Sequence, residues 1–247
     1  MKVNAELCVA TILSCHLQPA LASTNINLPS LLQAYCHGRG GRELGQNWHE
    51  AGRHGSKKKS VEDYTSCAQY LKSNDSILRP RYSNEPTFTV ARAFSAGGIV
   101  VGASINENPG LFHAATLTNA FLDVMGSMSD ITLHLTEHEF DEFGDPRTEE
   151  ACAWIKSYCP LTNVKTQSYP SMFVVGALDD NQVPATQAIS FVRKIRGCDP
   201  GANILLSIEE EGGHHLSLQR LQVGASEICF ILGNYHSWLK SIKPVSN

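Results

Sequence analysis

From about residue 30 onward, short apolar runs alternate with stretches whose apolar residues recur at helical spacing. The runs "LLQAY" (31–35), "TFTVARAF" (87–94), "LFHAATLTN" (111–119), "SMFVVGAL" (171–178) and "NILLSIEE" (203–210) read as strands. "SVEDYTSCAQYLKS" (60–73) reads as a helix, with Val61, Tyr64, Cys67, Ala68 and Leu71 along one face and Ser60 placed to cap it. "GGIVVGASIN" (97–106), "PATQAISFVRKIR" (184–196) and the amphipathic tail "SLQRLQVGASEICFILGNYHSWLK" (217–240) are the other predicted helices. Residues 121–170 mix Gly, Pro and acidic residues, as helical pieces and loops do. Strands separated by helices of this length imply right-handed crossovers and a parallel sheet, with any site beyond the carboxyl ends of the strands. The expected class is α/β.

Composition narrows the function classes. The 247 residues are 42% hydrophobic, enough for one sizeable core. A net charge of −4 offers no basic field for nucleic acid, and Lys57-Lys58-Lys59, the only dense basic patch, reads as a solvated loop. The eight cysteines (8, 15, 36, 67, 152, 159, 198, 229) contain no Cys-x-x-Cys pair, which argues against a zinc site and against a disulfide scaffold. Cys36, Cys67 and Cys229 lie in or beside apolar runs and read as small core residues in a reducing compartment. No cofactor or metal is expected, and no apolar run is long enough for a membrane span.

The first 30 residues are harder to place. "MKVNAELCVATILSCHLQPALAS" has the Lys, apolar stretch and Ala20-x-Ala22 of a secretory signal, although Glu6 interrupts it and the run from Leu7 to Leu13 is short. The same stretch holds "CVATIL" (8–13), which has strand composition. Residues 1–30 are therefore expected to be a strand, a tail or a signal, ahead of a catalytic domain over residues 31–247. A cytoplasmic location is the expectation, with secretion as the alternative.

In "VARAFSAGGIVVGA", Ser95 stands between a strand and a helix, where either a helix cap or a nucleophile elbow belongs. The elbow turn is tight enough to require small residues two before and two after the serine, and here they are Ala93 and Gly97. Candidate partners follow in order. "GALDDNQVP" puts Asp179 and Asp180 beyond the fourth strand run, and "EEEGGHHLS" puts His214 and His215 beyond the fifth. A serine hydroxyl needs an imidazole to take its proton and a carboxylate to hold that imidazole. The order Ser, Asp, His is that of the α/β-hydrolases.

Several segments together resemble the C-terminal catalytic domain of the prolyl oligopeptidase family of serine peptidases. They are "AYCHGRGGRELGQNWHEAGRHGSKKKSVEDY", "FSAGGIVVGASINENPGLFHAATLTNAFLDVMGSM", "LTEHEFDEFGDP", "YPSMFVVGALDDNQVP" and "GGHH", within a match running from about Leu31 to Tyr235. "AYCHGRGG" and Ala-Phe-Ser-Ala-Gly-Gly are most similar to the prolyl endopeptidase-like subgroup, whose members are cytosolic and favour esters or thioesters over peptides. The resemblance implies an α/β-hydrolase fold with Ser95 as nucleophile, Asp180 as acid, His214 as base and the Ala96 N–H as oxyanion donor. Asp179 and His215 remain one-residue alternatives.

The chain also departs from that pattern. The family's first sheet strands, its β-propeller and the tyrosine that supplies a second oxyanion donor have no counterpart in the matched segments. An arginine that holds a substrate carbonyl in the family is replaced by Gln182. Phe140 and Phe143 fall on the aromatic positions flanking the family's proline pocket. The leading expectation is a serine hydrolase acting on peptide or acyl-ester substrates through an acyl-enzyme. The alternatives are a catalytically weak or silent interaction protein and a truncated isoform.

Overall fold

The computed structural model describes residues 10–17, 29–73, 87–216 and 220–242. Six strands form one sheet: β1 (Ala10–Leu17), β2 (Pro29–Cys36), β3 (Phe88–Phe94), β4 (Ala114–Thr118), β5 (Ser171–Ala177) and β6 (Ile204–Glu209), in the order β2-β1-β3-β4-β5-β6. From β3 to β6 every pairing is parallel, as the alternation of strands and helices implies. The exception is β1, antiparallel to both β2 and β3. Only residues 18–28 separate β1 from β2, too little chain for the helical crossover that parallel neighbours need.

β1 fills the slot between the strands read at 31–35 and 87–94, and Ile12, the partner of Ala34 and Ala91, is buried at its centre. The remainder of the signal-like stretch, including Ala20-x-Ala22, lies outside the described residues.

Strand residues alternate between two buried layers. After the short α1 (Gln46–Glu50) come the longer helices: Ala91, Ala93, Ala115, Leu117, Met172 and Val174 face α2 (Lys58–Ser73), α3 (Gly97–Glu107) and a helix over Thr186–Cys198, with Tyr64, Val101, Ile105 and Phe191 filling the space between. Phe88, Val90, Ala114, Phe173 and Val175 face the closing helix Arg220–Ile242 through Phe230, Ile231 and Tyr235. Both faces of the sheet are covered by helices, which is the α/β-hydrolase arrangement. The closing helix is also tied to the sheet by polar bonds. Glu227, buried, accepts from Arg92 Nε at 2.7 Å and Nη2 at 3.0 Å, and from the Thr116 hydroxyl at 2.6 Å.

Three local expectations need correction. Ser60 is not a cap: α2 begins at Lys58, and the Ser60 hydroxyl donates to the Arg39 carbonyl at 2.5 Å. Lys57 is not solvated. It is 2% exposed and donates to Glu142 at 2.5 Å, with its Nζ 5.0 Å over the Phe143 ring, so the charge is paired inside rather than hydrated. Cys229 is exposed on the closing helix, whose buried face runs through Val223, Glu227, Phe230, Ile231 and Tyr235.

Candidate active site

Between the end of β3 at Phe94 and the start of α3 at Gly97, only Ser95 and Ala96 make the turn. Ser95 adopts φ +52°, a left-handed conformation costing a non-glycine residue about 1 kcal/mol or more. Three backbone bonds hold it there. Its N–H donates to Thr118 O at 3.3 Å, and its carbonyl accepts from Gly98 at 2.9 Å and Phe121 at 2.8 Å. Glycine is required at 98, where a Cβ would meet the Ala120 Cβ and the Phe121 nitrogen at 2.7 Å. The residue capping α3 is Ala96, with no side-chain cap, so the Ser95 hydroxyl is not used as a helix cap.

That hydroxyl instead lies 2.8 Å from His214 Nε2, and His214 Nδ1 lies 2.8 Å from Asp180 Oδ2. A carboxylate only accepts, so Nδ1 carries the proton and Nε2 is left to accept from the serine. The other Asp180 oxygen accepts the backbone N–H groups of Gln182 at 2.8 Å and Val183 at 3.0 Å, which fixes the carboxylate plane. Ser95, Asp180 and His214 are each 6% exposed. The Ala96 N–H lies at the N-terminal end of α3, where amides have no partner within the helix.

Asp179 and His215 are not part of this series. Asp179 accepts from the N–H groups of Gly212 at 3.0 Å and Gly213 at 2.8 Å. The glycines' positive φ values, +122° and +59°, turn the chain so that His214 points inward. His215 is exposed, its ring 5.8 Å from that of Phe94. From the opposite side, Asn119 Nδ2 donates to the carbonyls of Gly213 at 3.2 Å and His214 at 2.7 Å.

A cavity opens beside Ser95 and Ala96, walled by Phe121, Met128, Glu139, Phe143 and Gln182. The Phe121 and Phe143 rings meet edge to face at 5.7 Å. Phe140 is not among its lining residues; it packs against the cluster around Phe143 and carries the Arg147 guanidinium 5.4 Å over its ring. One wall is fixed by buried Gln187. Its Oε1 accepts from Leu122 and Asp123 N–H at 2.9 Å each, and its Nε2 donates to the Ser127 hydroxyl at 2.8 Å.

The other wall rests on Glu142. This carboxylate is bonded by Lys57 Nζ at 2.5 Å and His49 Nε2 at 3.1 Å, with Arg53 Nε at 3.3 Å. Lys57 Nζ also sits 5.0 Å over the Phe143 ring. Burial lowers the His49 pKa, against the pull of Glu142. Burial and the nearby Glu142 raise Glu139, at the cavity edge, to about 7.

Sequence reading missed Asn119, Gln187 and Lys57. Asn119 carried a faint signal, an asparagine ending a strand run, which suits its φ of +41°. The other two act through contacts with residues distant in sequence. Among the described residues, no group of three or more His, Cys, Asp or Glu is placed to hold a metal ion, and no helix is long and apolar enough to cross a membrane.

Comparison with known proteins places this chain in a family. Residues 30–236 match the family model "Prolyl oligopeptidase family". The human protein "Prolyl endopeptidase-like" is 38% identical over 193 residues, covering 73% of this chain and 26% of its own length. "Protease 2" of Moraxella lacunata is 32% identical over 198 residues, covering 78% of this chain and 28% of its own length. The solved structure of oligopeptidase B from Leishmania major superposes with a TM-score of 0.73 at 29% identity, over 84% of this chain and 28% of that one. The chain thus spans about a quarter of the length of these relatives. With a matched segment that takes in Ser95, Asp180 and His214, this chain belongs to the prolyl oligopeptidase family of serine peptidases.

Proposed function

We propose that the chain is a serine hydrolase that transfers the acyl group of a peptide or ester to Ser95 and then to water. The observation that carries this reading is the unbroken hydrogen-bonded series Ser95–His214–Asp180, with the serine on a strained turn. In the reaction, Ser95 Oγ attacks the substrate carbonyl as His214 Nε2 takes its proton. Asp180 holds the imidazole tautomer and stabilises the cation that forms. The Ala96 N–H donates to the oxyanion, the tetrahedral intermediate collapses, and His214 protonates the leaving group. A water activated by the same imidazole releases the acyl group.

The acyl side chain enters the cavity lined by Phe121, Met128 and Phe143, with Gln182 beside it. Gln182 brings an amide where the family has a guanidinium, so a substrate carbonyl gains no charge-assisted bond there. Amide cleavage needs more oxyanion stabilisation and more leaving-group protonation than ester cleavage does. Activated esters are therefore the better substrates.

Labelling with a fluorophosphonate tests the reading. Ser95 alone is expected to be modified, and Ser95→Ala to abolish the signal. Modification of another serine, or equal efficiency on a prolyl amide and its matching p-nitrophenyl ester, would count against the nucleophile and the substrate class respectively.

A further inference from the structure

Two thiols outside the active site meet where β2 approaches α2. Cys36, the last residue of β2, is buried, and its Sγ lies 3.8 Å from the Asp63 carbonyl oxygen. Within an α-helix that carbonyl accepts from the amide four residues on, which belongs to Cys67. The Cys36 sulfur therefore sits beside the turn that presents the second thiol. Cys36 belongs to the core cluster that contains Tyr64 and Ala68, and Cys67 packs against the same cluster. Neither is in a disulfide; Cys36 is buried and Cys67 half-buried.

The contact does not depend on the thiols to hold it together. Asp63, one turn before Cys67, accepts from Arg39 N–H at 2.8 Å, from Nε at 2.9 Å and from Nη2 at 2.6 Å. Arg39 follows Cys36 by three residues, so this clamp fixes β2 against α2 at the level of the two sulfurs. The environment also divides the pair chemically. The neighbouring Cys36 pulls the Cys67 thiol down, while Cys67 and burial push Cys36 up. A low-pKa, partly accessible thiol beside a buried one has the arrangement of an attacking and a resolving cysteine.

We propose that Cys36 and Cys67 form a reversible disulfide that staples the end of β2 to α2 when the chain meets a small-molecule disulfide oxidant. The Cys67 thiolate attacks one oxidant sulfur, breaks the oxidant's S–S bond and releases the first thiolate. Cys36 Sγ then attacks Cys67 Sγ and expels the second thiolate, to which its own proton passes. The two protein thiols are oxidised, and the oxidant disulfide is reduced to two thiols. A reducing dithiol reverses both steps. Ser95 takes no part, so the staple stands apart from the hydrolase chemistry.

The test uses the full chain and oxidised glutathione. After oxidation, remaining thiols are blocked with N-ethylmaleimide, and tryptic cross-links are mapped by tandem mass spectrometry. The peptide Ser60–Lys72, in which Cys67 is the only cysteine, is expected to be joined through Cys36 to the peptide covering residues 3–39, and to be freed by dithiothreitol. In Cys36→Ala, Cys67 should keep the glutathione instead, because the resolving thiol is gone. An alkylated Cys67 after oxidation, glutathione retained on Cys67 in the unsubstituted chain, or a join through Cys8 or Cys15 overturns the proposal. If Cys36→Ala fails to fold by circular dichroism, the cross-link map of the unsubstituted chain decides the matter alone.

Discussion

Asp179 accepts the backbone N–H of Gly213 at 2.8 Å, one residue before the histidine whose ring its neighbour Asp180 engages at 2.8 Å. Adjacent carboxylates thus hold the same loop in different ways, one by its backbone and one by its imidazole. Asp180→Asn is expected to lower ester turnover by about 10⁴, because an amide favours the wrong tautomer. Asp179→Asn should cost less, on the order of 10²-fold or below, since the loop is loosened and the imidazole keeps its partner. Turnover numbers for both variants check this, and a larger loss at Asp179 would reverse the two roles.

β1 gives a second expectation. Ile12 is 2% exposed in the middle of the sheet, so Ile12→Asp would bury an unpaired charge at a cost of several kcal/mol. The variant is expected to lose its cooperative melting transition and its fluorophosphonate labelling together. A chain begun at Ser30 should behave likewise, because β2 and β3 would each lose a hydrogen-bonded neighbour. An unchanged melting temperature in that shortened chain would show β1 to be dispensable.

Removing one partner of a buried ion pair is far more costly than removing a surface charge. Here Lys57 is buried and the Glu142 side chain is 16% exposed, so Glu142→Gln is expected to destabilise the fold by about 2 kcal/mol in urea titration. It should also raise KM for apolar acyl esters, because Lys57 and Phe143 pack together beside that carboxylate. A loss below about 1 kcal/mol would put the pair in the surface class.

Glu139 sets a pH dependence. Its folded pKa, about 7, lies above the ordinary 4.5, so between these values the folded chain binds more protons than the unfolded one. The stability from this group is fully present below 4.5 and is lost as pH rises through about 7. Over the same rise the cavity acquires a negative charge, so KM for an apolar acyl ester should increase. In Glu139→Gln that increase should vanish, which pH profiles of KM for the two forms would reveal.

Much of this was legible in the chain because the information was local. Apolar runs bounded by turn residues marked β3 to β6, and the Ser95–His214–Asp180 candidates lie at or just beyond the ends of β3, β6 and β5. Telling Asp180 from Asp179 rested on family wording, since both share one loop and only backbone geometry separates them. Lys57 was misread because a lysine run normally faces water, and its partner Glu142 is 85 residues away. The antiparallel sense of β1 was equally hidden, since strand composition carries no direction.

The bond from Arg92 to Glu227 spans 135 residues and joins the strand before Ser95 to the last helix. During synthesis, Ser95 leaves the ribosome well before His214, and Glu227 later still. Until then the Arg92 guanidinium has no carboxylate from the closing helix, and the Phe88 and Val90 face has no cover. Such long-range closure is slow compared with local helix formation. The turn that carries Ser95 therefore gains its long-range support only when the closing helix brings Glu227 to Arg92, so the order of the serine strand depends on a contact made far along the chain.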